Sequence, residues 1–314
     1  MKRIVSILLV LSILFLFSCS LKEQNNDLSE NKGQDGGIKV QDSIIVYYDG
    51  EASRGDIEVY ASDLLKETSL SIKAVDELNF DYIHGEKVED SNTRANDLII
   101  KIDEKEYKLP YKSTYRTAYS VSNVEKTNNL SAYDVYKTDE ISVRYRTQTK
   151  DLTYLQVLSA FQRTPGENIS KEQIPDAMLD LLYEYHGKEY MDNYTLVSHA
   201  PVPNRGTYLG LFRRYIHGYA SEDFIKIEIN PDGSIVAFSF PNKGIYDNVK
   251  NEVTKETIDK AYNYIFDIFK EKNPNINQND ACVFVNCDGS IYLRMQISIG
   301  DNLNRYYLNL DQFK

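Results

Sequence analysis

The pattern N-x-D-G-S-I occurs twice in this chain, in INPDGSIV (Ile229 to Val236) and in VNCDGSIY (Val285 to Tyr292), with Asn230 and Asn286 56 positions apart. Three origins fit such a pattern: an acidic metal loop used twice, the corner of a duplicated unit, or a coincidence of turn-forming residues. A calcium loop needs oxygen ligands at alternating positions and closes on a bidentate Glu. Asn230, Asp232 and Ser234 offer three, but the following IVAFSF has no acid, and IYLRMQ after Asn286, Asp288 and Ser290 has none either. A hairpin turn accounts for every position. Asn bonds back to its own loop, Pro231 presets φ, Asp232 suits the third position and Gly233 takes the left-handed one. Cys287 replaces Pro231 in the second copy, which type I geometry tolerates.

The flanks of the two turns predict an α+β fold. ISKEQIPDAMLDLLYEYHG carries Ser170 with Gln173 three residues on, a capping-box signature. Ile174, Ala177, Met178, Leu181, Leu182 and Tyr185 share one face, and Gly187 is a stop. Pro175 allows a second start, with the helix beginning at the proline itself. After a loop, HAPVPNRG, come three strand-like runs: TYLGLFRRYIHGYA, DFIKIEI and SIVAFSF, with Glu222-Asp223 as an acidic turn before the second. TKETIDKAYNYIFDIFKEKNPN then opens on a Thr254 cap. Ile258, Ala261, Tyr262, Ile265, Phe266 and Phe269 form its stripe, Pro274 is its end, and ACVFVN, SIYLRMQISIG and NRYYLNL follow as strands. Helix, strand, DG turn, strand recurs, which argues for tandem helix-plus-antiparallel-sheet units.

Ahead of them, residues 43–160 read as an N-terminal α+β domain. SIIVYYD is a strand, DIEVYASDLLKET an amphipathic helix and HGEKVEDSNTRAND a polar stretch. DLIIKIDEKEYKLPY is a hairpin turning at Asp103-Glu104-Lys105, TAYSVSN a strand, and ISVRYRT-QTKD-LTYLQV a second hairpin. The expected boundaries are 43–160, 161–248 and 249–314.

Residues 170–240 resemble a PepSY-type module: a capped helix, the strand Arg214-Tyr215-Ile216-His217-Gly218-Tyr219, then a hairpin closed by a DG turn. FRRYIHGYASEDFIKIEINPDGSIVAF is its most specific part, and residues 254–314 resemble a weaker second copy. The resemblance covers just under half the chain. It implies a small cystatin-like helix-on-sheet fold of bacterial envelope proteins and peptidase propeptides, inhibitory or chaperone-like binding to peptidases, and no catalytic residues.

The N-terminus predicts the location. Lys2 and Arg3 precede an apolar run from Ile4 to Phe17, shorter than the ~20 residues of a membrane span. Ser18-Cys19 follows and resembles a bacterial lipobox, in which Cys19 is thioether-linked to diacylglycerol and becomes the mature N-terminus. An ordinary cleaved signal peptide and an uncleaved anchor are the alternatives. Residues 1–19 thus read as a lipoprotein signal peptide and 20–42, polar and without aromatics, as a flexible tether. The expected place is the extracytoplasmic face of the cell membrane.

The net charge is −11, and −13 once the +2 of Lys2 and Arg3 is removed with the signal segment. Such an acidic surface disfavours nucleic acid. The 25 tyrosines fit either a binding platform or a strand-rich architecture. Cys282 and Cys287, five apart, sit ~16 Å from each other on an extended strand, beyond disulfide reach.

No H-E-x-x-H, G-x-S-x-G, P-loop or paired C-x-x-C occurs, so no cofactor or metal is expected. His186, His199 and His217 match no ligand spacing, and His84 lies in the polar stretch. His186 ends a helix, where a cation favours the dipole. Cys282, between Ala281 and Val283, reads as a buried thiol. The expected function is a non-catalytic, membrane-tethered surface lipoprotein that binds an envelope protein or peptide and modulates a peptidase. Arg213, Arg214, Tyr215 and Tyr219, with the loop 200–206, form the candidate partner surface. The alternative is an envelope hydrolase acting on peptidoglycan or polysaccharide, with two acids brought together from distant positions. A solute-binding protein would show repeated β-α-β crossovers, which this hairpin pattern lacks.

Overall fold

Local signals set the two long helices. The Ser170 amide donates to Gln173 Oε1 at 2.9 Å, and a 3-10 turn over Lys171–Gln173 leads into α1 (Ile174–His186), so both expected starts are used, with Pro175 in the first helical turn. Ile174, Met178 and Leu182, four apart, are buried. Each contributes roughly 1.5–3 kcal/mol, against propensity differences below about 1 kcal/mol, so packing decides this helix. Gly187 at φ +83 ends it, ahead of the short α2 (Lys188–Met191). After α3 (Val249–Glu252), Thr254 Oγ1 accepts from the Thr257 amide at 3.1 Å and opens α4 (Lys255–Phe269). Ile258, Ala261, Ile265 and Phe269 are buried, while Tyr262 and Phe266 stack on each other at 5.8 Å. The helix stops at Phe269, five residues before Pro274.

The computed structural model describes residues 44–49, 70–74, 86–88, 96–102, 105–116, 132–147, 149–160, 166–270, 273, 275–286, 289–299 and 302–314. Cys19, the tether at 20–42, the helix expected at 56–68 and the strand expected at 117–123 lie outside them. Among the described residues the strands are β1 (Ile44–Asp49), β2 (Leu70–Ala74), β3 (Glu86–Val88), β4 (Leu98–Ile102), β5 (Lys105–Leu109), β6 (Tyr111–Arg116), β7 (Ala132–Lys137), β8 (Ile141–Arg146) and β9 (Leu152–Val157). Past α2 come β10 (Tyr194–Val202), β11 (Thr207–Ile216), β12 (Tyr219–Ile229), β13 (Ile235–Ser239), β14 (Ala281–Val285), β15 (Ile291–Ile299) and β16 (Asn302–Asn309). Both N-terminal hairpins form: β4 pairs β5, with Ile102 opposite Lys105, and β8 pairs β9. The polar stretch at 84–97 contains β3, paired to β6.

The fold is mixed α+β and mostly sheet. Fourteen strands run in the order β2-β1-β16-β15-β14-β12-β13-β9-β8-β7-β6-β3, with β10-β11 on the other side of β12. Pairing crosses both expected boundaries. β9 pairs β13 across 160, β12 pairs β14 across 248, and β1 pairs β16 antiparallel across nearly the whole chain. Residues 42–314 are one compact unit.

β12 organises the interior. Its odd-numbered residues face the helices: Tyr219 lies in the core beneath α4, while Ile225, Ile227 and Ile229 lie in the core beneath α1. Phe240 belongs to the α1 core and Tyr246 to the α4 core, so the 240–248 linker passes from one to the other. Close packing under α1 depends on Gly210, where an added Cβ would lie 2.5 Å from Met178 Sδ.

The two DG turns are built alike. In each, the Asn amide donates to the Ser carbonyl at 2.8 Å (Asn230 to Ser234, Asn286 to Ser290), and the Gly amide donates to the Asn carbonyl at 2.9 Å. Gly233 and Gly289 sit at φ +83 and +84. Asp232 Oδ1 accepts from the Ser234 amide at 3.0 Å and from the Ser234 hydroxyl at 2.7 Å. The strand context differs, however. The first turn joins the last two strands after α1, and the second joins the first two strands after α4. Gly233→Ala should lower stability by about 1–2 kcal/mol, because the added Cβ meets only ordinary contacts and the left-handed backbone alone opposes it. Urea unfolding checks this, and an unchanged midpoint would refute it.

Three expectations are corrected here. Ala200–Val202 belongs to strand β10 rather than a loop, because β10 pairs on one side only among the described residues, a position where proline is tolerated. TYLGLFRRYIHGYA is two strands: His217 (φ +49) and Gly218 (φ +90) make a two-residue turn, with Ile216 opposite Tyr219. Glu222-Asp223 is strand rather than turn, and alternation puts Asp223 inside.

Candidate functional site

Asp223 lies on β12 between the two cores, with no exposed surface. Its Oδ2 accepts from the Tyr194 hydroxyl at 2.6 Å and from Arg214 Nη1 at 3.4 Å. The same Arg214 nitrogen reaches Asp247 Oδ1 at 2.8 Å, which also accepts from the Tyr190 hydroxyl at 3.1 Å. The guanidinium lies over the rings of Tyr190 and Tyr194 at 5.5 and 5.4 Å. Burial pushes the Asp223 carboxyl up to about 7, while Tyr194 and the cations Arg214 and Arg146 pull it down and Asp247 pushes it further up. Asp223 itself has no surface and holds the seam between the cores, whereas Asp247 at the other end of the cluster is 42% exposed.

The helix-free face of β12 carries a second cluster. Glu222 pairs with Arg294 of β15, and Cys282 Sγ lies 3.5 Å from Glu222 Oε1. Burial, and then Glu222, push the Cys282 thiol up to about 12, so it stays protonated at neutral pH. Phe284, Tyr292 and Tyr307 form a small aromatic cluster with Tyr47.

The histidines separate rather than converge. His186 is half-buried with its ring against Phe238 and Phe240, and desolvation and Lys243 hold it down at about 3. It is neutral, which overturns its expected role as a cationic helix cap. His199 is exposed on β10, and His217 Nε2 lies 2.9 Å from the Val253 carbonyl oxygen. Among the described residues, no group of three or more His, Cys, Asp or Glu could hold a metal.

The expected partner surface is divided by strand alternation. Arg214 and Tyr219 point inward and are buried, with the Tyr219 hydroxyl donating to Asp259 of α4 at 2.9 Å. Arg213 and Tyr215 lie on the helix-free face, half-buried. No single surface contains all four.

One accessible feature stands beside them. Among the described residues β10 pairs only with β11, so its other edge is open. A bulge at Val197, which is 44% exposed, and Pro201 interrupt that edge, leaving short runs of free backbone. These are the devices by which edges resist pairing with whole sheets. Alongside runs a groove of about 310 Å³ between α1 and the sheet. Leu179 and Tyr183 of α1 form one wall, Leu196 the other, and Tyr194 and Phe212 the floor. The groove was missed in sequence because Leu179 and Tyr183 fall just outside the buried stripe of α1 and carry no polar signature. Asp223 was missable too, although Tyr219, Ser221, Asp223, Ile225 and Ile227 at period two place it inside.

No family model matches the chain, and no curated protein matches it. Among solved structures the chain is similar to the Bacillus megaterium YpeB C-terminal domain. That match covers 72% of this chain and 94% of that one, at 12% identity and a TM-score of 0.33.

Proposed function

We propose that the chain is a non-catalytic, lipid-anchored envelope protein of PepSY-like character that binds an extended segment of a protein or peptide partner. The observation that carries this reading is the edge of β10, unpaired among the described residues, lying beside a mostly apolar groove. A segment adding to such an edge satisfies its backbone on β10 and sends alternate side chains into the groove. At about 310 Å³ the groove lies at the small end of ligand sites, room for side chains rather than for a cofactor. The apolar run at 4–17 followed by Cys19 supports tethering by lipid.

The test pairs capture with zymography. Full-length protein is expected to capture a specific partner from detergent-solubilised envelope, and Leu179→Ser/Leu196→Ser to reduce capture about tenfold, since two half-buried apolar contacts are lost. Cys19→Ser is expected to move the protein out of the membrane fraction. Clearing of cell-wall or casein substrate by the purified protein, lost on mutating one acid or His, would overturn the reading in favour of a hydrolase. Capture indifferent to the groove variant would overturn the site.

A further inference from the structure

We infer that a second cavity, against the C-terminal end of α1, binds a free amino acid with an apolar side chain. It is separate from the groove, and no residue lines both. The cavity measures about 330 Å³, at the small end of ligand sites. Distant parts of the chain line it. β4 gives Lys101, β8 gives Tyr145 and the turn after it Lys150, α1 gives Glu184 and Tyr185, and the 240–248 linker gives Lys243.

Lys243 is the recessed cation, its side chain 12% exposed. Its Nζ lies 3.3 Å from Asp151 Oδ1 and 3.3 Å from His186 Nδ1. An ammonium only donates, so His186 accepts at Nδ1 and carries its own proton on Nε2. That Nε2 is buried and has no hydrogen-bond partner among the described residues. Packing alone does not call for an ammonium and an orphaned imidazole N–H here, since apolar side chains would fill the space at lower cost. What the pair does is fix a cation at the cavity wall. The imidazole is neutral, held down at about 3, and leaves the charge of Lys243 in place. An ammonium has three donors. Among the described residues the third has no acceptor, and the ring of Tyr190 lies 5.4 Å away.

The other charges complete a dipolar site. Lys150 Nζ lies 3.2 Å from Asp134 Oδ2, a carboxylate 3% exposed, and its backbone holds φ +57, where a glycine would sit without strain. Lys101 is exposed on β4 and has no ion pair among the described residues. Asp134 and Asp151 thus offset two of the three lysines, leaving one positive charge on the strand side and exposed Glu184 as the negative charge on the helix side. An amino acid matches both, its carboxylate on Lys243 and Lys101 and its ammonium on Glu184. Burial pushes the Tyr145 hydroxyl up to about 12, so it stays protonated as a further donor. The rings of Tyr145 and Tyr185, with Ile100 and Leu152, line the cavity with apolar surface for the side chain.

The test is isothermal titration calorimetry on full-chain protein with L-phenylalanine, N-acetyl-L-phenylalanine, L-phenylalanine amide and L-alanine. Phenylalanine should bind about tenfold tighter than each of the other three, which lack the ammonium, the carboxylate or the ring. Lys101→Gln, an exposed substitution, should weaken phenylalanine about threefold and leave the amide unchanged. Glu184→Gln, also exposed, should weaken phenylalanine about threefold and leave the N-acetyl compound unchanged. Leu179→Ser/Leu196→Ser should bind phenylalanine as the parent does, which separates this site from the groove beside β10. Equal binding of phenylalanine, its amide and its N-acetyl form overturns recognition by charge. N-acetylphenylalanine binding as well as phenylalanine, with the amide weak, overturns the amino acid in favour of a plain carboxylate. No binding of phenylalanine overturns the cavity as a ligand site.

Discussion

Arg214→Met is expected to destabilise the protein by about 3–5 kcal/mol at pH 8 and by clearly less at pH 5. The side chain is 7% exposed and touches a carboxylate that is 0% exposed. Removing the cation leaves Asp223 with the Tyr194 hydroxyl as its close donor, in a site where burial already pushes its carboxyl up to about 7 from an ordinary 3.8. The sign follows from that direction. A carboxyl raised in the folded state contributes stability below about 3.8 and loses it as pH rises toward 7, because the unfolded chain ionises first. Without Arg214 the folded value rises further, so the loss continues into alkaline pH while at pH 5 the group is protonated in both proteins. Urea unfolding at the two pH values measures this. Asp223→Asn in the Arg214→Met background should recover part of the loss at pH 8. Equal destabilisation at both pH values would mean that Asp223 is not the group involved.

The fragment 161–314, although it contains both helices and both DG turns, is expected not to fold. Ile141, Val143, Leu155 and Val157 of β8 and β9 belong to the same buried core as Ile225, Ile227 and Phe238. Val46 of β1 belongs to the core beneath α4. At roughly 1.5–3 kcal/mol for each buried aliphatic side chain, these five amount to about 7.5–15 kcal/mol, comparable with the whole net stability of a typical domain, about 5–15 kcal/mol. The cut also strips β13 and β16 of neighbouring strands. A chain beginning at residue 43 should unfold cooperatively, whereas 161–314 should show no sigmoidal transition by circular dichroism. A cooperative transition in the fragment would show that the two halves are independent.

What could be read from sequence was local. The Thr254 cap, the Gly187 stop and both DG turns depend on residues within a few positions of each other, and each formed. β10 was read as a loop because Pro201 argues against a strand, and only knowledge that β10 lies at an edge removes the objection. Arg214, Tyr215 and Tyr219 looked like one cluster because adjacency in sequence hides the alternation that sends neighbours to opposite faces. Nothing local in SIIVYYD indicates that its partner is NRYYLNL, more than 250 residues on. The groove combines a helix wall and a strand wall, so it exists only once both have docked.

The Ile45 amide donates to Gln312 Oε1 at 2.8 Å, and Gln312 Nε2 returns a bond to the Ile45 carbonyl at 3.2 Å. This handshake sets an order of events. β1 is made more than 250 residues before β16 and lacks its partner on that side until β16 is made. Folding therefore cannot proceed to completion from the N-terminus as the chain is made, and closing so long a loop makes the final step slow. Gln312→Ala removes both bonds and leaves β1 held, among the described residues, by β2 and β16 alone.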